Sequence, residues 1–209
     1  MVTISFQQVR QTFHGRTIFR DLNAELTGDQ ITAVTGHNGS GKSTMLRLAA
    51  HLLLPTEGRV LAAANGKELR REALRRHIAL VTPELKFYPR LTARENLDFL
   101  LGLRGITLTG ERFRELLERV GLCEKEIGTS FAGEFSTGMR QRLKLAALLA
   151  SGTDIWLLDE PGANLDEAGR RLIKREVRQA ATDGRLIFWA TNDKREEEAA
   201  DAAIHLAGY

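Results

Sequence analysis

The sequence predicts an α/β fold with a parallel sheet covered on both faces, and three observations predict it. Five short apolar segments, QITAVTG (30–36), HIALVT (77–82), DIWLLD (154–159), LIFWAT (186–191) and AAIHLA (202–207), alternate with helical patterns. Near-continuous apolar strands of this kind belong to sheets buried on both sides. A glycine-rich stretch, GHNGSGKST (36–44), lies between the first of those strands and the helical pattern MLRLAAHLL. Strand signals vanish between residues 90 and 150, which predicts a helical lobe inserted between two halves of the sheet domain.

Taken in order, the N-terminal MVTISFQQVRQTF alternates as a strand and has neither the charged start nor the apolar core of a signal peptide. The inserted lobe is read as three helices, ARENLDFLLG, GERFRELLERVG and STGMRQRLKLAALLASG. The third is the best defined. Ser136 is its expected N-cap, Met139, Leu143, Ala146, Ala147 and Ala150 form its apolar stripe, and Gly152 stops it.

With 209 residues, 43% of them hydrophobic, the chain is long enough to bury a real core. Its longest apolar runs, such as LAALLA (145–150), fall short of the roughly 20 residues that span a bilayer, so the cytosol is the expected compartment. The single cysteine, Cys123, excludes an internal disulfide and receives no role. The five histidines, His14, His37, His51, His77 and His205, show no ligand spacing. A net charge of +3 is too small to imply nucleic-acid binding across the surface. Locally, Lys67, Arg70, Arg71, Arg75, Arg76, Lys86 and Arg90 outnumber Glu68, Glu72 and Glu84, a pattern read first as a solvated helix face and, as the alternative, as a patch for phosphates or an anionic membrane face.

The chemistry concentrates in two motifs. Gly36, His37, Asn38, Gly39, Ser40, Gly41, Lys42, Ser43 and Thr44 match the phosphate-binding P-loop, flanked as required by a strand and a helix. Small residues let the backbone wrap phosphates, and the helix N-terminus adds partial positive charge where their oxygens sit. Lys42 is expected to neutralise the β- and γ-phosphates and Ser43 to ligate Mg²⁺. The strand DIWLLDEP carries Asp159 and Glu160 to its C-terminal end, the end at which parallel sheets bind ligands. Asp159 is expected to hold the metal through water, and Glu160 to act as general base.

The order of P-loop, FSTGMRQRLKLA (135–146), DIWLLDEP and GANLD (162–166) resembles the nucleotide-binding subunit of ABC (ATP-binding cassette) transporters along essentially the whole chain. The resemblance implies a P-loop NTPase of ABC ATPase type: a RecA-like parallel core with an N-terminal antiparallel β subdomain and an inserted helical lobe. Residues 1–209 form a single ABC ATPase domain on this reading, with 1–85 and 152–209 as the nucleotide-binding core lobe and 86–151 as the helical lobe. FSTGM stands at the LSGGQ-like signature, matching at Ser136 and Gly138 and departing at Phe135, Thr137 and Met139. The adenine-stacking aromatic falls on Phe13 and the D-loop on Asn164, Leu165 and Asp166. ATP and Mg²⁺ are the implied cofactors. Ser136, Gly138 and Asp166 are implied to reach ATP held by a partner ATPase subunit, in a homodimer or heterodimer. Separate membrane-spanning subunits would complete the transporter at the cytoplasmic membrane face, with no nucleic acid expected.

Two departures stand out. The family's glutamine falls on Pro83, and the neighbouring Glu84 is a candidate oxygen ligand for the metal. The switch histidine falls on Asn192, in the stretch FWATND (188–193). Its amide can still donate to a phosphate but is shorter and cannot become cationic. The run TPELKFYPRLTARENLDFLLGLRG and the end of the chain at Tyr209, without a C-terminal regulatory domain, are similar to the cytochrome c biogenesis (haem exporter) ATPase group. A soluble ABC-type ATPase acting on nucleic acid or the ribosome, and a cassette that binds ATP with little turnover, stay open as alternatives.

Overall fold

The computed structural model describes residues 1–207 apart from the side chain of Glu126; Tyr209 lies outside the described residues. It contains two compact units, Met1–Thr82 with Thr153–Glu160 and Glu176–Tyr209, and Pro83–Gly152 with Pro161–Arg175.

The first unit holds two sheets. Strands β1 (Val2–Phe13) and β2 (Arg16–Thr27) form a hairpin closed at His14 and Gly15. Both turn residues have positive φ, 46° and 82°, which matches the right-handed twist of the strands it joins. With β4 (Glu57–Ala64) and β5 (Lys67–Glu68) they make an antiparallel sheet in the order β2-β1-β4-β5. The other sheet is parallel. Its order is β6 (Ile78–Val81), β7 (Ile155–Asp159), β8 (Leu186–Ala190), β3 (Ile31–Thr35) and β9 (Ala202–His205). Every residue of β3, β7 and β8 is buried, as their unbroken apolar runs require. One core joins the two sheets: Phe6 meets Phe188 with ring centroids 6.5 Å apart, and Ile4, Leu26, Met45 and Leu157 are fully buried in the same cluster. Helices α1 (Lys42–Ala49), α2 (Arg71–His77) and α8 (Lys194–Glu197), with the part of α7 (Glu167–Thr182) from Glu176 onward, complete this unit.

The second unit is helical: α3 (Ala93–Gly102), α4 (Gly110–Arg119), α5 (Glu124–Ile127), a 3-10 turn at Ala132–Glu134, α6 (Thr137–Ala150) and the first turns of α7 (Glu167–Thr182). A capping box starts α3: the Thr92 hydroxyl accepts from Glu95 N at 3.3 Å, and Thr92 N donates to the Glu95 carboxylate at 2.8 Å. Asn96, 1% exposed, pins the preceding loop by donating to the carbonyls of Leu91 and Thr92 and accepting from Tyr88 N. Ser136 caps α6, accepting from Met139 N at 3.1 Å, as the sequence predicts. No helix among the described residues is long and apolar enough to cross a membrane.

Candidate functional site

Strand register builds the site. Val34 of β3 is paired with Ala190 of β8, and Ala190 with Asp159 of β7, so three C-terminal strand ends lie side by side although they are far apart in sequence. From β3 the chain enters Gly36–Gly41, from β7 it delivers Asp159 and Glu160, and from β8 it delivers Thr191 and Asn192. This is the ligand-binding edge of a parallel sheet.

The loop before α1 needs its glycines. A Cβ on Gly36, whose φ is 148°, would fall 2.5 Å from the Leu206 carbonyl oxygen. Gly41 takes the αL conformation directly before Lys42, Ser43 and Thr44 open α1. Lys42 is 6% exposed, and its ammonium donates to the carbonyls of Gly36 at 2.8 Å and His37 at 3.3 Å. The ammonium therefore curls back over its own loop. Ser40 Oγ is buried with no hydrogen-bond partner, and a buried hydroxyl without a partner calls for one. Gly39 opens the tip of the loop, where the His37 ring meets the Asn38 carbonyl at 2.8 Å. A loop of small residues with a buried cation and an orphaned hydroxyl fits a phosphate chain.

Asn192 sits between the strand ends on either side of it. Its Nδ2 donates to Asn38 Oδ1 at 2.8 Å and to Glu160 Oε1 at 3.0 Å. An ionised carboxylate only accepts, so the atom facing Glu160 must be the amide nitrogen, and both of its protons are engaged. Its backbone is braced on both sides: Thr191 N donates to Val34 O at 3.1 Å, and Asp193 caps the turn that follows by accepting from Arg195 N at 2.8 Å. Glu160 is held with φ at 47°, and its N–H donates to Ala190 O at 2.9 Å. Asp159 is 6% exposed at the end of β7. Phe13, at the hairpin end of β1, keeps 38% of its surface exposed. Ser43 and Asp159 supply the hard oxygens that suit a magnesium ion, a cation that keeps much of its own water. No group of three or more His, Cys, Asp or Glu side chains that could hold a metal occurs among the described residues.

Ser136, Gly138 and Asp166 lie in the second unit, where they line one open hollow of about 320 Å³ together with Met139, Arg142 and Asn164. Glu84 belongs to this unit too, and its charge acts on Lys144. Lys144 is 7% exposed and donates to the Pro83 carbonyl at 3.3 Å. Burial lowers the pKa of this ammonium, and the Glu84 carboxylate opposes that shift. Sequence reading passed over Arg142, a half-buried cation six residues past the Ser136 cap. Its only signal in the sequence was an arginine on the helix that Ser136 caps.

Residues 19–163 match the family described as ABC transporter. The sulfate/thiosulfate import ATP-binding protein CysA of Synechocystis is 32% identical over 208 residues, 97% of this chain but 58% of that protein's length. The cytochrome c biogenesis ATP-binding export protein CcmA of Bradyrhizobium diazoefficiens is 37% identical over 181 residues, 85% of this chain and 86% of that one. Among solved structures, the dimeric post-hydrolysis state of the ATP-binding cassette MJ0796, bound to ADP and Pi, superposes with a TM-score of 0.84 at 25% identity, covering 98% of this chain and 94% of that one. With the matched segment running from Phe19 in β2 through residues 36–44 and the Asp159–Glu160 strand to Ala163, the chain belongs to the ABC transporter family.

Proposed function

We propose that this chain is the ATP-binding and hydrolysing subunit of a transporter, working as a dimer that closes around two ATP molecules and drives separate membrane-spanning subunits from the cytoplasmic face. The observation that carries this reading is the bridge from Asn38 through Asn192 to Glu160, which puts a phosphate loop, a carboxylate and a fixed amide at one edge of the sheet.

In this reading the P-loop amides and Lys42 hold the β- and γ-phosphates, while Phe13 stacks on the adenine. Magnesium, when bound, supplies charge neutralisation across those phosphates, and Ser43 and Asp159 would hold it. Glu84, whose charge also acts on Lys144, is the further candidate oxygen ligand of that set. Glu160 takes a proton from the attacking water, and Asn192 orients it by donating to Oε1. Ser136 and the Gly138 amide, at the N-terminus of α6, grip the γ-phosphate of ATP bound to the partner subunit, with Asp166 beside them.

Steady-state ATPase of Glu160→Gln tests the assignment. A loss of about 100-fold or more with ATP binding retained is expected for a general base, and an unchanged rate would refute it. For the cargo we infer a cytochrome c biogenesis exporter, supported by the similarity to CcmA across 86% of that protein's length. Removal of this chain from its host should then abolish maturation of c-type cytochromes; normal maturation would discard that finer reading.

A further inference from the structure

Arg142 reaches three places from one guanidinium. Its Nη1 donates to Val120 O at 3.1 Å and lies 3.4 Å from Gly121 O, at the end of α4 where helix carbonyls lack partners of their own. Its Nη2 stands 3.5 Å from Asp166 Oδ1. The same Oδ1 accepts from Gly169 N at 2.8 Å, capping the first turn of α7. Gly121 makes room for this arrangement: its φ is 68°, and a Cβ there would lie 2.4 Å from Nη1. The Arg142 side chain is 20% exposed and Asp166 71% exposed. The arginine is thus the fixed partner and the aspartate the surface one. The planar fork faces the two carbonyls with one nitrogen and the carboxylate with the other; a lysine has no second nitrogen to span them in that fixed geometry.

We propose that Arg142 is a positioning residue that holds Asp166 against the Ser136 end of α6, making the signature and the D-loop one preformed surface for a second copy's ATP. This rests on the dimer reading above. Free of the arginine, Asp166 would still cap α7 but would no longer be tied to the signature helix.

The test is a double-mutant cycle on the full chain, read as ATPase kcat and KM. Asp166→Asn keeps an acceptor for Gly169 N and removes the charge, so it spares the cap while breaking the ion pair. We expect Arg142→Gln and Asp166→Asn each to lower kcat about tenfold, with KM for ATP changed less than twofold and the double variant no worse than either single one. Arg142→Lys should behave like Arg142→Gln, and it replaces that variant in the cycle should Arg142→Gln fail to fold. Additive losses in the double variant, or full activity in Asp166→Asn, would overturn the coupling while leaving the ATPase assignment in place. A wild-type chain without ATPase activity overturns the dimer reading and the coupling with it.

Discussion

Asn192 commits both protons of one nitrogen to neighbours of different charge, the neutral Asn38 amide and the Glu160 carboxylate. To donate to a phosphate it must release one of them, and Asn38 is the weaker partner because its acceptor is uncharged. Truncation in Asn192→Ala removes a bond to a charged group, worth about 1.5–3 kcal/mol. If the bond acts in the transition state, kcat falls about 10- to 150-fold with little change in ATP affinity. An unchanged kcat would reduce Asn192 to a strand cap. Asp201 makes a prediction of a different kind. Its carboxylate accepts from Ile31 N at 2.8 Å and from Arg178 Nη1 at 2.8 and 2.9 Å. Burial alone would raise its pKa, but the bonds from Ile31 and Arg178 together bring it below the usual value. A depressed carboxyl stabilises the fold above its unfolded pKa of about 3.9, and that contribution is lost as pH falls through the lower folded value. Its side chain is 35% exposed, so after screening Asp201→Ala should cost about 1 kcal/mol at pH 7 and less at pH 2. Urea denaturation at the two pH values measures the difference.

At the scale of elements, α3 depends on one buried amide. Asn96 serves the carbonyls of Leu91 and Thr92 and the N–H of Tyr88. Leu91 O also accepts from Ala132 N, and Thr92 O from the backbone N–H of residue 96, so Asn96→Ala removes the acceptor of Tyr88 N and the side-chain bonds that tie the loop to α3, and should destabilise by about 2 kcal/mol. A change within 0.5 kcal/mol on chemical denaturation would contradict it. The sequence made the central strands legible because IWLLD and LIFWA are buried on both faces and carry no competing polar signal. It made Ser136 legible because an N-cap is a local event. It did not single out α7, whose many charges mask its apolar face. Nor did it disclose that 161–175 group with the helical unit. The bond from Asn192 to Glu160 was equally hidden, since it depends on the register of β3, β8 and β7 and no local pattern encodes register between distant strands. The reach of Lys144 to Pro83 was hidden as well, because it joins a helix to a loop 61 positions away and no local pattern encodes such a contact.

For the whole molecule, the division of labour between the two units sets the expected kinetics. The P-loop, Asp159, Glu160 and Asn192 lie in the first unit, while Ser136, Gly138 and Asp166 lie in the second. If the second set serves ATP held by another copy, the total rate must rise faster than linearly with protein concentration until the dimer saturates. Measured over about two decades of concentration, a strictly linear rate would show that a single copy suffices. Glu160→Gln should in turn favour an ATP-dependent dimer in analytical ultracentrifugation, because bound nucleotide is no longer consumed.

The left-handed backbone at Glu160 has an evolutionary consequence. A residue with a Cβ gives up about 1–2 kcal/mol to sit there, and glycine gives up almost nothing. With Glu160 as the proposed general base, position 160 would be a place where selection for turnover and selection for stability oppose each other. In a gene duplicate released from the need to hydrolyse nucleotide, drift at this codon should run toward glycine or asparagine, and the replacement itself would mark the lineage in which the motor had become a scaffold.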